Sequence, residues 1–218
     1  MEIKYFLEKI YNFGIEKKYF EIVELGKLDK SCCQTSKIEI IDFDKTKNVI
    51  CKENGIPSDK SCDAIKFFVE KERIDFIELK GLKMYLQFPS HKNFDYSKDA
   101  TLQITEKISG FEINKKIKDS LIIMQHIVEK VNQPEIKNIT FKKVLKNFLI
   151  VTDIDSKKNG LESIISTLEV LSEISSPIET ICLDIFENEI GNTELPNDYN
   201  IQKPIPLTCK SLSNFYSN

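Results

Sequence analysis

Two short apolar runs, residues 62–69 and 74–79, are separated only by Glu70, Lys71, Glu72 and Arg73. Neither run is long enough for a helix, and both are rich in Ile and Phe, so the pair reads as two strands joined by a tight surface turn. With Val69 and Ile74 flanking that turn, Asp63 falls opposite Lys80 and Ile65 opposite Glu78. Side chains alternate along a strand, so Asp63, Glu78 and Lys80 all emerge on one face at the open end of the hairpin. Asp63 and Glu78 are then diagonal neighbours, about 5.5–8 Å apart between Cβ atoms.

The surrounding pattern predicts an α/β fold built on a mixed sheet flanked by helices. Residues 2–13 and 15–25 read as helical, with Ile3, Phe6, Leu7 and Ile10 on one apolar face and Gly14 as a break. Residues 37–43 alternate as a strand, and residues 54–59 have loop composition. Residues 81–110 read as an irregular insertion. A helix follows over residues 111–131, with Ile113, Ile117, Leu121, Met124, Val128 and Val131 as its apolar stripe. A buried strand (147–152), a helix (161–174) and a strand (178–186) then suggest a β-α-β unit with parallel pairing. The tail after Gly191 is expected to wrap the surface. The expected organisation is one domain over residues 1–218, with a core at about 16–153, an insertion at 81–110 and a C-terminal extension at 154–218.

Composition excludes more than it assigns. The chain has 218 residues, 41% apolar and 30% charged, enough for a substantial core. No apolar run reaches the roughly 18 residues of a membrane span, and the N-terminus lacks signal-peptide features, so a cytoplasmic protein without a membrane partner is expected. A net charge of −3 carries no global nucleic-acid signature. Arg73 is the only arginine beside 30 lysines, with 32 isoleucines and two alanines, a skew that fits an AT-rich genome. Lysine-rich stretches are discounted accordingly. The six cysteines, Cys32, Cys33, Cys51, Cys62, Cys182 and Cys209, form no C-x-x-C pair, so reduced, packed thiols are expected rather than a zinc site. Neither a P-loop nor a dinucleotide-binding glycine motif is present.

Two carboxylates and a lysine at one strand end form a chemical grouping. Hard oxygen ligands suit Mg²⁺, a bound ion lowers the pKa of an attacking water, and a lysine can neutralise charge developing on phosphorus. Asp63 followed by Glu78-Leu79-Lys80 resembles the signature of the PD-(D/E)xK nuclease superfamily, and the order of elements resembles its restriction-endonuclease-like α-β-β-β-α-β core, here with an added C-terminal α-β unit. The resemblance implies a metal-dependent phosphodiesterase, an endonuclease acting on DNA in restriction or anti-phage defence. It implies Mg²⁺ or Mn²⁺ held by Asp63, Glu78 and the Leu79 carbonyl, with Lys80 catalytic. Auxiliary groups would be Glu21 or Glu24 from the first helical region and Lys118 or Gln125 from the helix after the signature. Cys62 stands where the signature has proline. A homodimer or a partner subunit is compatible with this reading.

Two other readings compete. A nuclease-like fold that no longer cuts would act as a binding or scaffolding subunit, which the acidic net charge favours. Asp42-Phe43-Asp44-Lys45-Thr46 resembles the D-x-D-x-T start of haloacid dehalogenase-like phosphotransferases, but it is expected to run into a loop and a hairpin rather than a parallel sheet. Asp153 and Asp155 are expected to cap or turn the chain, Phe67 and Phe68 to belong to the core, and His126 to be packed or exposed.

Overall fold

The computed structural model describes residues 3–28, 32–57, 60–82, 85–86, 99–131, 138–154 and 177–217. Six strands form one sheet in the order of the chain: β1 (Ile22–Glu24), β2 (Glu39–Asp42), β3 (Ala64–Phe68), β4 (Arg73–Lys80), β5 (Leu145–Thr152) and β6 (Ile205–Thr208). The first four strands pair antiparallel, and β5 and β6 run parallel to β4. The sheet is therefore mixed, with helical connections where parallel pairing demands a crossover. Among the described residues no helix is long and apolar enough to cross a membrane.

The helices are α1 (Ile3–Glu16), α2 (Leu25–Leu28), α3 (Phe43–Asn54), α4 (Ala100–Ser109), α5 (Ile113–Lys130), α6 (Asn138–Lys143), α7 (Pro177–Gly191) and α8 (Cys209–Ser217). Alternation along the strands sorts their apolar side chains into two clusters. Ile41, Ile65, Ile74, Phe76, Phe148 and Ile150 share the larger one with buried residues of α1, α3, α4, α5 and α7. Phe76 stacks on Phe148 at 4.6 Å and meets Phe43 edge-on at 6.0 Å, contacts worth about 0.5–1.5 kcal/mol each beyond their buried area. Ile40, Ala64, Ile77, Leu79, Leu149 and Val151 form the smaller cluster with Leu25, Cys32, Cys33 and Leu212.

Several expectations require correction. Gly14 lies inside α1 rather than between two helices. A Cβ there would sit 2.1 Å from Cδ2 of Phe20, so glycine is what lets the Phe20 ring close over the end of the helix. Residues 22–24, read as helix, form β1. The motif starting at Asp42 runs into α3, not a loop, and the Asp42 carboxylate caps that helix by accepting the Lys45 N–H at 3.0 Å. Part of the supposed irregular insertion is α4, started by Asp99 accepting the Leu102 N–H at 3.2 Å.

The largest correction falls near the C-terminus. Residues 178–186 are not a strand but part of α7, with Cys182, Phe186 and Ile190 buried at helical spacing. The helix expected over residues 161–174 lies outside the described residues. The strand parallel to β5 comes instead from the tail, Ile205–Thr208, which was expected only to wrap the surface.

Candidate functional site

The β3–β4 hairpin turns one residue earlier than its polar residues imply. Phe68 pairs with Arg73 and Ala64 with Ile77, so the turn is residues 69–72 and Arg73 belongs to the strand. Lys71 and Glu72 donate their N–H groups to the Phe68 and Val69 carbonyls, at 3.1 Å each, and Glu72 takes a left-handed φ of 50°. One step beyond the last pair, Asp63 faces Glu78, not Lys80, and Glu78 is not the partner of Ile65. The register differs from expectation by two residues. Because the side-chain period is also two, the face is unchanged. Asp63, Glu78 and Lys80 remain on the side that carries Ile65 and Phe76.

Asp63 Oδ2 accepts the Leu79 N–H at 2.6 Å, and the Asp63 carbonyl accepts the Phe43 N–H at 3.0 Å, so the residue is fixed by both neighbouring segments. Burial, followed by the charge of Glu78, raises the Asp63 carboxyl to about 7. Glu78 is 1% exposed. Its Oε1 takes Lys116 Nζ at 2.5 Å and forms an ion pair with Lys80. Its Oε2 is buried with no hydrogen-bond partner. Lys80 also lies over the Phe111 ring, 4.8 Å from its centroid.

Lys116 comes from α5. Burial works against its charge, but Glu78 and Asp63 more than offset this and hold its pKa above the ordinary lysine value. The helix is fastened to the segment just before Asp63: Asp119 Oδ2 accepts the Lys60 N–H at 3.1 Å, and Ser120 Oγ accepts the Cys62 N–H at 2.9 Å. Those two bonds set the distance between α5 and the hairpin, and hence the reach of Lys116. A cleft of about 440 Å³ lies alongside, lined by Lys47, Lys60, Lys80 and Lys116 together with Asp44, Ser61, Gly110 and Phe111. It concentrates four lysines locally on a chain of net negative charge.

The auxiliary candidates are engaged elsewhere. Glu21 pairs with Lys45 at 2.8 Å and Glu24 with Lys27 at 3.1 Å. Lys118 is exposed, two residues and about 200° around the helix from Lys116. Gln125 Oε1 accepts the Tyr199 hydroxyl at 2.8 Å. The helix residue that reaches Glu78 is Lys116, which sequence reasoning missed. Its neighbours Asp119 and Ser120 are the two polar residues buried on α5, whose other buried side chains are apolar.

The remaining candidates also have placements. Asp44 pairs with Lys47 at 2.7 Å and accepts the Ser61 hydroxyl at 3.0 Å. Asp153 Oδ1 accepts the Leu82 N–H at 2.7 Å, while Asp155 and His91 lie outside the described residues. Phe67 packs against Tyr11 and Phe20, and Phe68 against Tyr216. His126 Nδ1 lies 3.6 Å from Glu129. The expectation of reduced thiols throughout is overturned for two cysteines: Cys33 and Cys209 form a disulfide with Cα atoms 5.0 Å apart. Cys32, Cys51, Cys62 and Cys182 take no part in that bond and are buried.

No family model, no curated protein and no solved structure matches the chain.

Proposed function

We propose that the protein is a metal-dependent phosphodiesterase acting on nucleic acid, with DNA as the preferred substrate, on a restriction-endonuclease-like core. The observation that carries this reading is the convergence of Asp63, Glu78 and Lys80 on one face beside a lysine-lined cleft, with Glu78 Oε2 buried and unpartnered. The order of elements supports it when β1, α2 and the α3 connection between β2 and β3 are taken as additions: a helix, three antiparallel strands (β2, β3, β4), a helical segment (α4 to α6) and a strand parallel to the third.

The donor set fits a hard divalent cation. A buried carboxylate oxygen without a partner is costly and is relieved by a ligand. Asp63, Glu78 and the Leu79 carbonyl would hold Mg²⁺ or Mn²⁺, which when bound supplies Lewis-acid stabilisation and a more acidic water. Lys80 and Lys116 place two positive charges where a phosphodiester gains negative charge during attack. Lys47 and Lys60 line the same cleft and would draw in the polyanionic backbone. The Leu79 N–H holds Asp63 in place, and α5 holds Lys116.

The test is cleavage of supercoiled plasmid, single-stranded DNA and RNA with Mg²⁺ or Mn²⁺, comparing wild type with Asp63→Ala and Glu78→Ala. Cutting that requires metal and both carboxylates is expected. Metal-dependent cutting that survives both substitutions refutes the site.

One observation favours a second reading. Lys80 and Lys116 already neutralise Glu78, as a nuclease-like subunit that binds nucleic acid without cutting it would require. DNA binding by wild type without cleavage on any substrate would select that reading.

A further inference from the structure

Three sulfur atoms meet on the sheet face opposite the site above. Cys32 and Cys33 lie between α2 and β2, and Cys209 opens α8. Cys32 Sγ is 3.7 Å from Cys33 Sγ and 3.0 Å from Cys209 Sγ, and the three ligand atoms all fall within 4.8 Å of one another. Neighbouring side chains on an extended backbone point apart. Here Cys33 takes a left-handed φ of 55°, which turns the vicinal pair toward one point, a conformation that a non-glycine residue rarely adopts.

Both contributing segments are anchored. The Ser36 N–H binds the Cys33 carbonyl at 2.9 Å, and the Gly26 N–H binds the Ser36 carbonyl at 3.0 Å. A Cβ on Gly26 would lie 2.4 Å from the Gln34 carbonyl oxygen, so the cysteine loop closes against α2 only because that residue is glycine. At the other segment, Thr208 Oγ1 accepts the Ser211 N–H at 3.1 Å and Ser211 Oγ accepts the Thr208 N–H at 2.7 Å, fixing the start of α8.

A disulfide needs two sulfurs, and this arrangement supplies a third in contact with it. We propose that the reduced triad Cys32, Cys33 and Cys209 is a binding site for a thiophilic d¹⁰ cation, Zn²⁺ by preference. Two thiolates on a tetrahedral zinc, each about 2.3 Å from the metal, lie about 3.8 Å apart, close to the Cys32–Cys33 separation of 3.7 Å. Three thiolates on Zn²⁺ leave one net negative charge, and the wall of the adjoining cavity carries Lys37 and Lys210 against one carboxylate, Asp153. That cavity, about 750 Å³, is bounded by Cys33 and Cys209 as well. It leaves the fourth coordination position open to water or to a small anionic ligand.

Loading starts with reduction of the Cys33–Cys209 bond by a dithiol. Two electrons and two protons convert one S–S bond into two S–H groups, and the dithiol is oxidised to its own disulfide. The cation then displaces the three thiol protons as it binds.

The experiment uses full-length protein reduced with dithiothreitol, freed of reductant under anaerobic conditions and titrated with Co²⁺, followed by Zn²⁺. Expected are thiolate-to-cobalt charge-transfer and tetrahedral ligand-field absorption that saturate at one equivalent and are bleached by Zn²⁺. Cys32→Ser keeps the bridge-forming pair and lowers Co²⁺ affinity more than about 100-fold, whereas Cys51→Ser leaves it unchanged. No stoichiometric thiolate band in the reduced protein overturns the proposal. So does undiminished binding in Cys32→Ser, or equal binding by the oxidised protein.

Discussion

Lys116 Nζ and Glu78 Oε1 are 2.5 Å apart, a bond that spans from the long helix to the central strand and joins residues 38 apart in sequence. The lysine both restrains the carboxylate and competes with any cation for it. Lys116→Met is expected to lower cleavage at saturating Mg²⁺ about 10²-fold, the scale for removing one charge-stabilising donor. The Mg²⁺ concentration for half-maximal activity should fall in the same variant. A metal titration of activity reads both effects, and unchanged activity at saturating metal would remove Lys116 from the site.

Asp63 makes stability depend on pH. Its folded pKa of about 7 lies above the ordinary carboxyl value of 3.8, so between those values the unfolded chain has lost a proton that the folded protein keeps. Unfolding free energy therefore falls as pH rises through that window and levels off above it. In chelator, Asp63→Asn should match wild type near pH 4 and exceed its melting temperature increasingly up to pH 7. Thermal melts at stepped pH measure this. A constant difference would show that Asp63 does not titrate in that range.

The only arginine has a structural post. Arg73 Nε lies 2.8 Å from Asp75 Oδ1, and its guanidinium stacks over the Phe68 ring at 4.4 Å. Burial still raises Asp75 to about 6, despite Arg73 and the amide of Asn147, which donates to it at 3.0 Å. Arg73→Ala would leave a carboxylate that is 0% exposed without its cationic partner and should cost about 3–5 kcal/mol. Urea unfolding should show a lower midpoint at an unchanged slope.

Gly14→Ala places a methyl group where the Phe20 ring packs. Overpacking at such a contact costs about 1–3 kcal/mol, although alanine is the better helix former. Pairing the change with Phe20→Leu should recover part of the loss, and a double-mutant cycle in denaturant quantifies the coupling.

The hairpin was legible because its two strands are short, Ile- and Phe-rich and separated by a polar tetrad. Its register was not, since Arg73 is polar yet sits in the strand beneath aromatic rings. The two-residue slip preserved parity, so Asp63, Glu78 and Lys80 were grouped correctly even though the pairing was wrong. Lys116 was hidden among 30 lysines, and only the fastening of α5 through Asp119 and Ser120 distinguishes it. Residues 178–186 misled because isoleucine favours strands, while burial along α7, at Cys182, Phe186 and Ile190, follows a helical period. The sulfur triad could not be read at all: 176 residues separate Cys33 from Cys209, and no local spacing records a contact that long.

The Cys33–Cys209 bridge also determines how the molecule carries mechanical load. Strands β2 to β6 all lie within the covalent ring it closes, and β1 lies outside. Tension applied at the two chain ends therefore crosses the bridge and can draw out only the segments beyond it, α1, β1 and α2 on one side and α8 on the other. Reduction would place the enclosed 176-residue stretch in the line of force, adding up to about 600 Å of extensible contour. A thiol reagent thus converts a short tether around a shielded sheet into a chain that can be unravelled from end to end.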